Sequence, residues 1–112
     1  MTKKTITVLI LHASGNIEML RIDNTLSALQ KIVGGHIEAI YDPHCLNGHA
    51  YVNDEGLFIG LPYNKNAEKY LGVCVHIRGD AVLMTHDRHG NEDDVSVQQI
   101  RTVLSTVFGL PE

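Results

Sequence analysis

Tryptophan is absent from this chain of 112 residues, and phenylalanine occurs only twice, against seven histidines. That is the one unusual count, and it does not by itself call for a site, because a neutral imidazole costs little to leave in water. Cysteine is scarce too. Cys45 and Cys74 are too few for a disulfide framework, which points to a reduced, cytoplasmic setting. No apolar run approaches the roughly 20 residues that a spanning helix needs. The two lysines before the first apolar run echo a signal peptide, but that run is β-patterned, short and followed by His12, so a first strand is expected instead. Excess positive charge is also missing. A net charge of -4 argues against wrapping duplex nucleic acid, where neutralised phosphates drive affinity, but leaves room for a small anion held by local cations.

There are no internal repeats, linkers or low-complexity stretches, so residues 1–112 read as a single domain, long enough to bury about two thirds of its unfolded surface. Leu26, Leu29 and Val33 share one face of a short helix. Gly34 closes that helix, and Ile37, Ala39 and Tyr41 then alternate as a half-buried strand. Before them, 5–12 reads as a strand covered on both sides, 14–16 as a turn and 17–22 as the second arm of a hairpin, with Asp23 or Asn24 capping the helix. After them come a loop at 42–49, a short strand at 50–52, a tight turn at 53–56 with Gly56 at positive φ, and a strand at 57–59. Asn64 or Asn66 caps a short helix carrying Ala67, Tyr70 and Leu71 and stopped by Gly72. Strands at 73–77 and 81–86 follow, then a polar, mobile loop at 87–94. Ser96 and Gln99 make a capping box with Val95 and Ile100 as its staple, and Val97, Ile100, Val103, Leu104, Val107 and Phe108 form the expected buried stripe of the last helix.

The expected fold is α+β: a mixed, mainly antiparallel sheet with two or three helices packed on it, the last helix covering one face. Its core should draw on Val8, Ile10, Leu29, Val33, Ile37, Val75, Val82, Ile100, Leu104 and Val107.

Motifs at Gly15-x-x-Glu18, from Leu29-Gln30 through Val33-Gly34-Gly35-x-Ile37-Glu38, at Asn53-x-Glu55-Gly56, at Gly60-Leu61-Pro62-x-Asn64 and at Gly79-Asp80-Ala81-Val82 resemble a family of small phage- and plasmid-borne domains of unknown function. The resemblance spans roughly Ile6 to Met84. It implies a mobile-element accessory protein acting inside a bacterial cell and carries no activity. The histidine-rich loop at His44 to His49 departs from the pattern.

Chemistry-bearing clusters are few. His44, Cys45 and His49, with His86 or His89 as a further donor, offer soft-metal ligands, but the spacing matches no paired zinc pattern and a polar loop competes with that reading. Neither cysteine has the company a nucleophile needs, and Cys74 sits between valines as a small core residue. Gly34-Gly35 ends a helix, whereas phosphate loops open one. The stretch 53–69 is the most suggestive. Asn53, Glu55 and Asn64 lie on two irregular turns, Tyr63 offers a ring for stacking, and Lys65 and Lys69 lie one turn apart on a helix. The competing reading is that both asparagines only hold their own turns.

The expectation is a non-enzymatic protein with no cofactor, catalytic residue or metal, which binds and sequesters a small nucleotide-type signal to counter host defence through Asn53, Glu55, Tyr63, Asn64, Lys65 and Lys69. A homo-oligomer is expected, since a chain this small makes deep pockets most easily between subunits. One alternative is an inhibitor or regulator that meets a basic host protein through Glu18, Asp23, Glu38, Glu55 and Asp80. Another is a zinc-dependent enzyme using His44, Cys45 and His49.

Overall fold

Strand β1 (Thr5–Leu11) is buried on both sides, as its doubled apolar pattern requires. The computed structural model describes residues 3–72 and 76–110. β1 pairs with β2 (Ile17–Asp23) as a hairpin, and on its other edge with β5 (Ala81–His86). β5 then pairs with β4 (Gly48–Asn53), and β4 with β3 (Ile37–Tyr41). The described strands form one six-stranded antiparallel sheet in the order β2-β1-β5-β4-β3, with the two-residue β6 (Glu92–Asp93) lying along β5 beyond the reach of β1. With three helices among the described residues, α1 (Leu26–Val33), α2 (Lys65–Leu71) and α3 (Val97–Phe108), this is an α+β fold.

Each sheet face has its own core. Ile6, Val8, Ile10, Val82 and Met84 meet Leu29 and Val33 of α1. Leu9, Leu11, Ala50, Val52 and Leu83 meet Tyr70 of α2 and Val103 of α3 on the opposite face. The helix stops and the last N-cap act as the sequence dictates: Gly34, Gly72 and Gly109 take left-handed conformations, and Ser96 and Gln99 form the reciprocal box.

Several expectations need correction. Thr25, not Asp23 or Asn24, caps α1, and Asn24 instead donates to the Lys3 carbonyl. Residues 57–59 are not a strand. Backbone bonds from Ile59 to Glu55 and from Leu61 to Gly56 curl them into consecutive turns. Gly56 is not in the left-handed region; a Cβ there would lie 2.9 Å from the Arg78 Cβ and carbonyl oxygen, so it is glycine for room. The 87–94 loop contains β6.

The buried side of α3 is rotated from the expected stripe. Gln99 and Val103 are buried and Ile100 and Val107 half-buried, while Val97, Leu104 and Phe108 are exposed. The other expected core residues are buried or half-buried, except that Val75 lies outside the described residues. So do Cys74 and most of the expected 73–77 strand; His76 and Ile77 are not in a strand, and Arg78 makes only an isolated bridge to Tyr63.

Candidate functional site

Helix α1 has only eight residues, about 12 Å of length, and it leaves the far end of its sheet face uncovered. Strand alternation aims five polar or aromatic side chains into that gap. His49 and Tyr51 of β4 share the α1 face with Tyr41 of β3, the register partner of His49. His86 ends β5, and β6 sets Glu92 opposite it. Together with Ala39, Ile40 and Gly90 these residues line a concave pocket of about 340 Å³.

The polar groups inside are organised. Glu92 accepts from the Tyr51 hydroxyl at 2.9 Å and from His49 Nε2 at 3.0 Å. His49, itself buried, packs edge-on against Tyr51 and lies 3.4 Å from His86 through the Nδ1 atoms of the two rings. Burial pushes the Glu92 carboxyl up, but the bonds from His49 and Tyr51 outweigh it and hold the group below the usual glutamate range. Burial, then the Glu92 carboxylate, pushes the Tyr51 hydroxyl well above the ordinary tyrosine range. Glu92 is thus an anion at neutral pH and accepts from His49 Nε2; in the tautomer with its hydrogen on that atom, the ring's lone pair lies on Nδ1. At the mouth, Tyr41 presents its ring to solvent, 81% exposed.

The residues expected to bind ligand fall elsewhere. Asn64 is fully buried. Its amide donates to the Leu11 and Gly79 carbonyls at 2.7 and 2.8 Å, and its oxygen caps α2 at the Ala67 amide. Asn53 is buried as well, donating to the Val33 carbonyl and accepting from the Glu55 amide. Both amides are committed to holding the chain and are not presented to solvent. Tyr63 is exposed, edge-on to His76, and its hydroxyl is raised by the hydrogen bond to Glu68. Glu55, Lys65 and Lys69 are exposed. A second cleft of about 290 Å³ touches Asn53 and is walled by Glu38, Asp54, His76 and Arg78; Tyr63, Lys65 and Lys69 do not line it. The six residues therefore do not share one cavity.

The candidate zinc loop is dispersed likewise. His44 Nε2 meets the Tyr70 carbonyl at 2.6 Å, Cys45 Sγ lies 3.2 Å from Ser96 Oγ, and His49 turns to Glu92. Among the described residues, no group of three or more His, Cys, Asp or Glu side chains is arranged to hold a metal ion. No helix among them is long and apolar enough to cross a membrane.

The fold is similar to part of a solved structure, that of the small RNA methyltransferase HEN1. The TM-score is 0.64 at 14% identity, over 92% of this chain. The chain spans 16% of that protein's length, and at this identity the likeness is one of fold. Comparison with curated proteins gives no match. A family model matches residues 6–107, nearly the whole sheet and nearly all of the three described helices, and the chain belongs to that family, the Domain of unknown function (DUF3846).

Proposed function

We propose that the domain binds a small nucleotide-type ligand without turnover, in the pocket framed by Tyr41, His49, Tyr51, His86 and Glu92. The observation that carries this is the buried His49–Glu92–Tyr51 cluster at the floor of a concavity that α1 leaves open. Its volume lies in the range of ordinary ligand sites, and it combines apolar walls with a few convergent polar groups. Tyr41 offers an exposed face on which a base can stack, an interaction worth about 1–3 kcal/mol. The outer nitrogen of His86 and the remaining lone pairs of Glu92 can address the polar edge of that base. Within the lining the Tyr51 hydroxyl is given to Glu92 and is not free to act as a nucleophile. Such a protein acts by holding its ligand. In the mobile-element setting that the motif resemblance implies, holding a signalling nucleotide would blunt a host response.

Isothermal titration against mono-, di- and cyclic nucleotides tests this. Binding at tens of micromolar protein is expected with at least one of them, weakened about tenfold or more by Tyr41→Ala. No heat with any, or binding indifferent to Tyr41→Ala, contradicts it.

One observation favours a second reading, contact with a host protein. Leu57, Phe58 and Ile59 form an exposed apolar run beside Asp54 and Glu55, with Phe58 86% exposed. The broader acidic surface supports this less, because Glu18 and Asp80 are both engaged with His12. Loss of a stoichiometric partner on Phe58→Ser in a pull-down from host lysate would favour it.

A further inference from the structure

We propose that His49 and His86 form an open binding site for a divalent transition-metal ion of the kind that favours imidazole: zinc, nickel or copper. Their Nδ1 atoms face one another at 3.4 Å. An N–H···N hydrogen bond between them would be a long one, since such bonds centre on about 3.0 Å. Two nitrogens each about 2.0–2.1 Å from a tetrahedral ion, by contrast, lie about 3.3–3.4 Å apart. The separation matches the bite of a metal pair.

The proton arrangement agrees. Glu92 accepts a hydrogen bond from His49 Nε2, and in that tautomer the lone pair of the ring lies on Nδ1, the atom facing His86. A carboxylate behind a ligating histidine is the usual outer support of a metal site, fixing tautomer and ring angle and raising ligand basicity. Glu92 occupies the far side of the His49 ring and does not converge with the two Nδ1 atoms, which is why no group of three ligands is found among the described residues. The protein supplies two ligands, and the remaining positions face the pocket, where water or a bound molecule can complete them. No lysine or arginine is among the described lining residues to repel a cation. Two imidazoles select for zinc, nickel or copper over magnesium or calcium, which prefer oxygen.

This site does not depend on the nucleotide reading, because the probe is the metal alone. Chelator-treated protein is titrated with Zn²⁺, Ni²⁺ and Mg²⁺ by calorimetry, and nitrogen-detected NMR follows the imidazole nitrogens. The expected result is saturable uptake of one Zn²⁺ or Ni²⁺ per chain, none of Mg²⁺, and a shift of the Nδ1 resonances of His49 and His86. His86→Gln, at a half-buried position that leaves the core intact, should weaken binding at least about tenfold, and Glu92→Gln about 10–100-fold. His76→Gln, at an exposed histidine, should change nothing. Three results overturn the proposal: no uptake, uptake that survives His86→Gln, or an Nδ1 proton shared between the rings that persists in excess metal.

Discussion

Gln99 donates to Asp42 across 2.9 Å, linking α3 to the loop between β3 and β4 where both residues are buried. The same Gln99 amide reaches the Met84 carbonyl, and its oxygen accepts the Ser96 amide of the capping box. Asp42 also accepts the Tyr70 hydroxyl at 2.6 Å and the His44 amide at 2.8 Å. This buried network ties α2, α3 and the β3–β4 loop into one unit. It fixes where β4 begins, and hence where His49 points.

Gln99→Leu removes the donor to two buried acceptors and half the capping box. Leaving such groups unsatisfied costs about 1–3 kcal/mol. The variant should unfold at lower urea concentration than wild type with an unchanged slope. An unchanged midpoint would mean the network contributes nothing.

Asn64 is a structural residue. Asn64→Ala loses an N-cap, worth about 0.5–2 kcal/mol, and two buried donations, and should destabilise by at least about 2 kcal/mol. Lys65→Ala and Lys69→Ala, at exposed positions, should stay within about 0.5 kcal/mol of wild type. Thermal melts of the three variants check this. An Asn64→Ala protein with wild-type stability would reopen a ligand role for that amide.

His12 is held between Glu18 on Nε2 and Asp80 on Nδ1, each at 2.9 Å. The bond to Glu18, then that to Asp80, raises its pKa against the opposing effect of burial. A folded-state pKa above the unfolded one gives stability that is fully present below about pH 6.5 and is lost as pH rises through the folded value. The ring is partly exposed, so solvent screens the effect and the change is modest. Melts of wild type and His12→Asn should therefore differ most near pH 6 and converge only as pH rises past the raised folded-state value. A gap that widens with rising pH contradicts the assignment.

What could be read from sequence was local. The Ser96–Gln99 box, the Gly34 and Gly72 stops and the doubled apolar pattern of 5–11 each lie within a few residues, and each is found in place. Gln99 shows the limit. A capping residue ordinarily faces water, so nothing in the pattern marks Gln99 for burial, and the apolar stripe through Val97, Ile100, Val103, Leu104, Val107 and Phe108 leaves it out. The run 57–59 has strand-forming residues, but Gly56 and Gly60 bracket it and the turns win.

The pocket was hidden for a different reason. His49 and His86 are 37 residues apart, and only the pairing of β3, β4, β5 and β6 brings them beside Glu92 and Tyr41. One signal is present in the sequence: His49, Tyr51 and Asn53 alternate with Ala50 and Val52, a polar face on a strand longer than the expected 50–52.

The central claim is that the open end of the α1 face, and not the 53–69 segment, is where this domain meets its ligand. Backbone amide NMR of the labelled protein, titrated with the nucleotide panel, tests it most directly. Shifts concentrated at Ala39–Tyr41, His49–Tyr51 and His86–Glu92 are predicted. Shifts concentrated at Tyr63, Lys65 and Lys69, with the pocket amides unmoved, would contradict it.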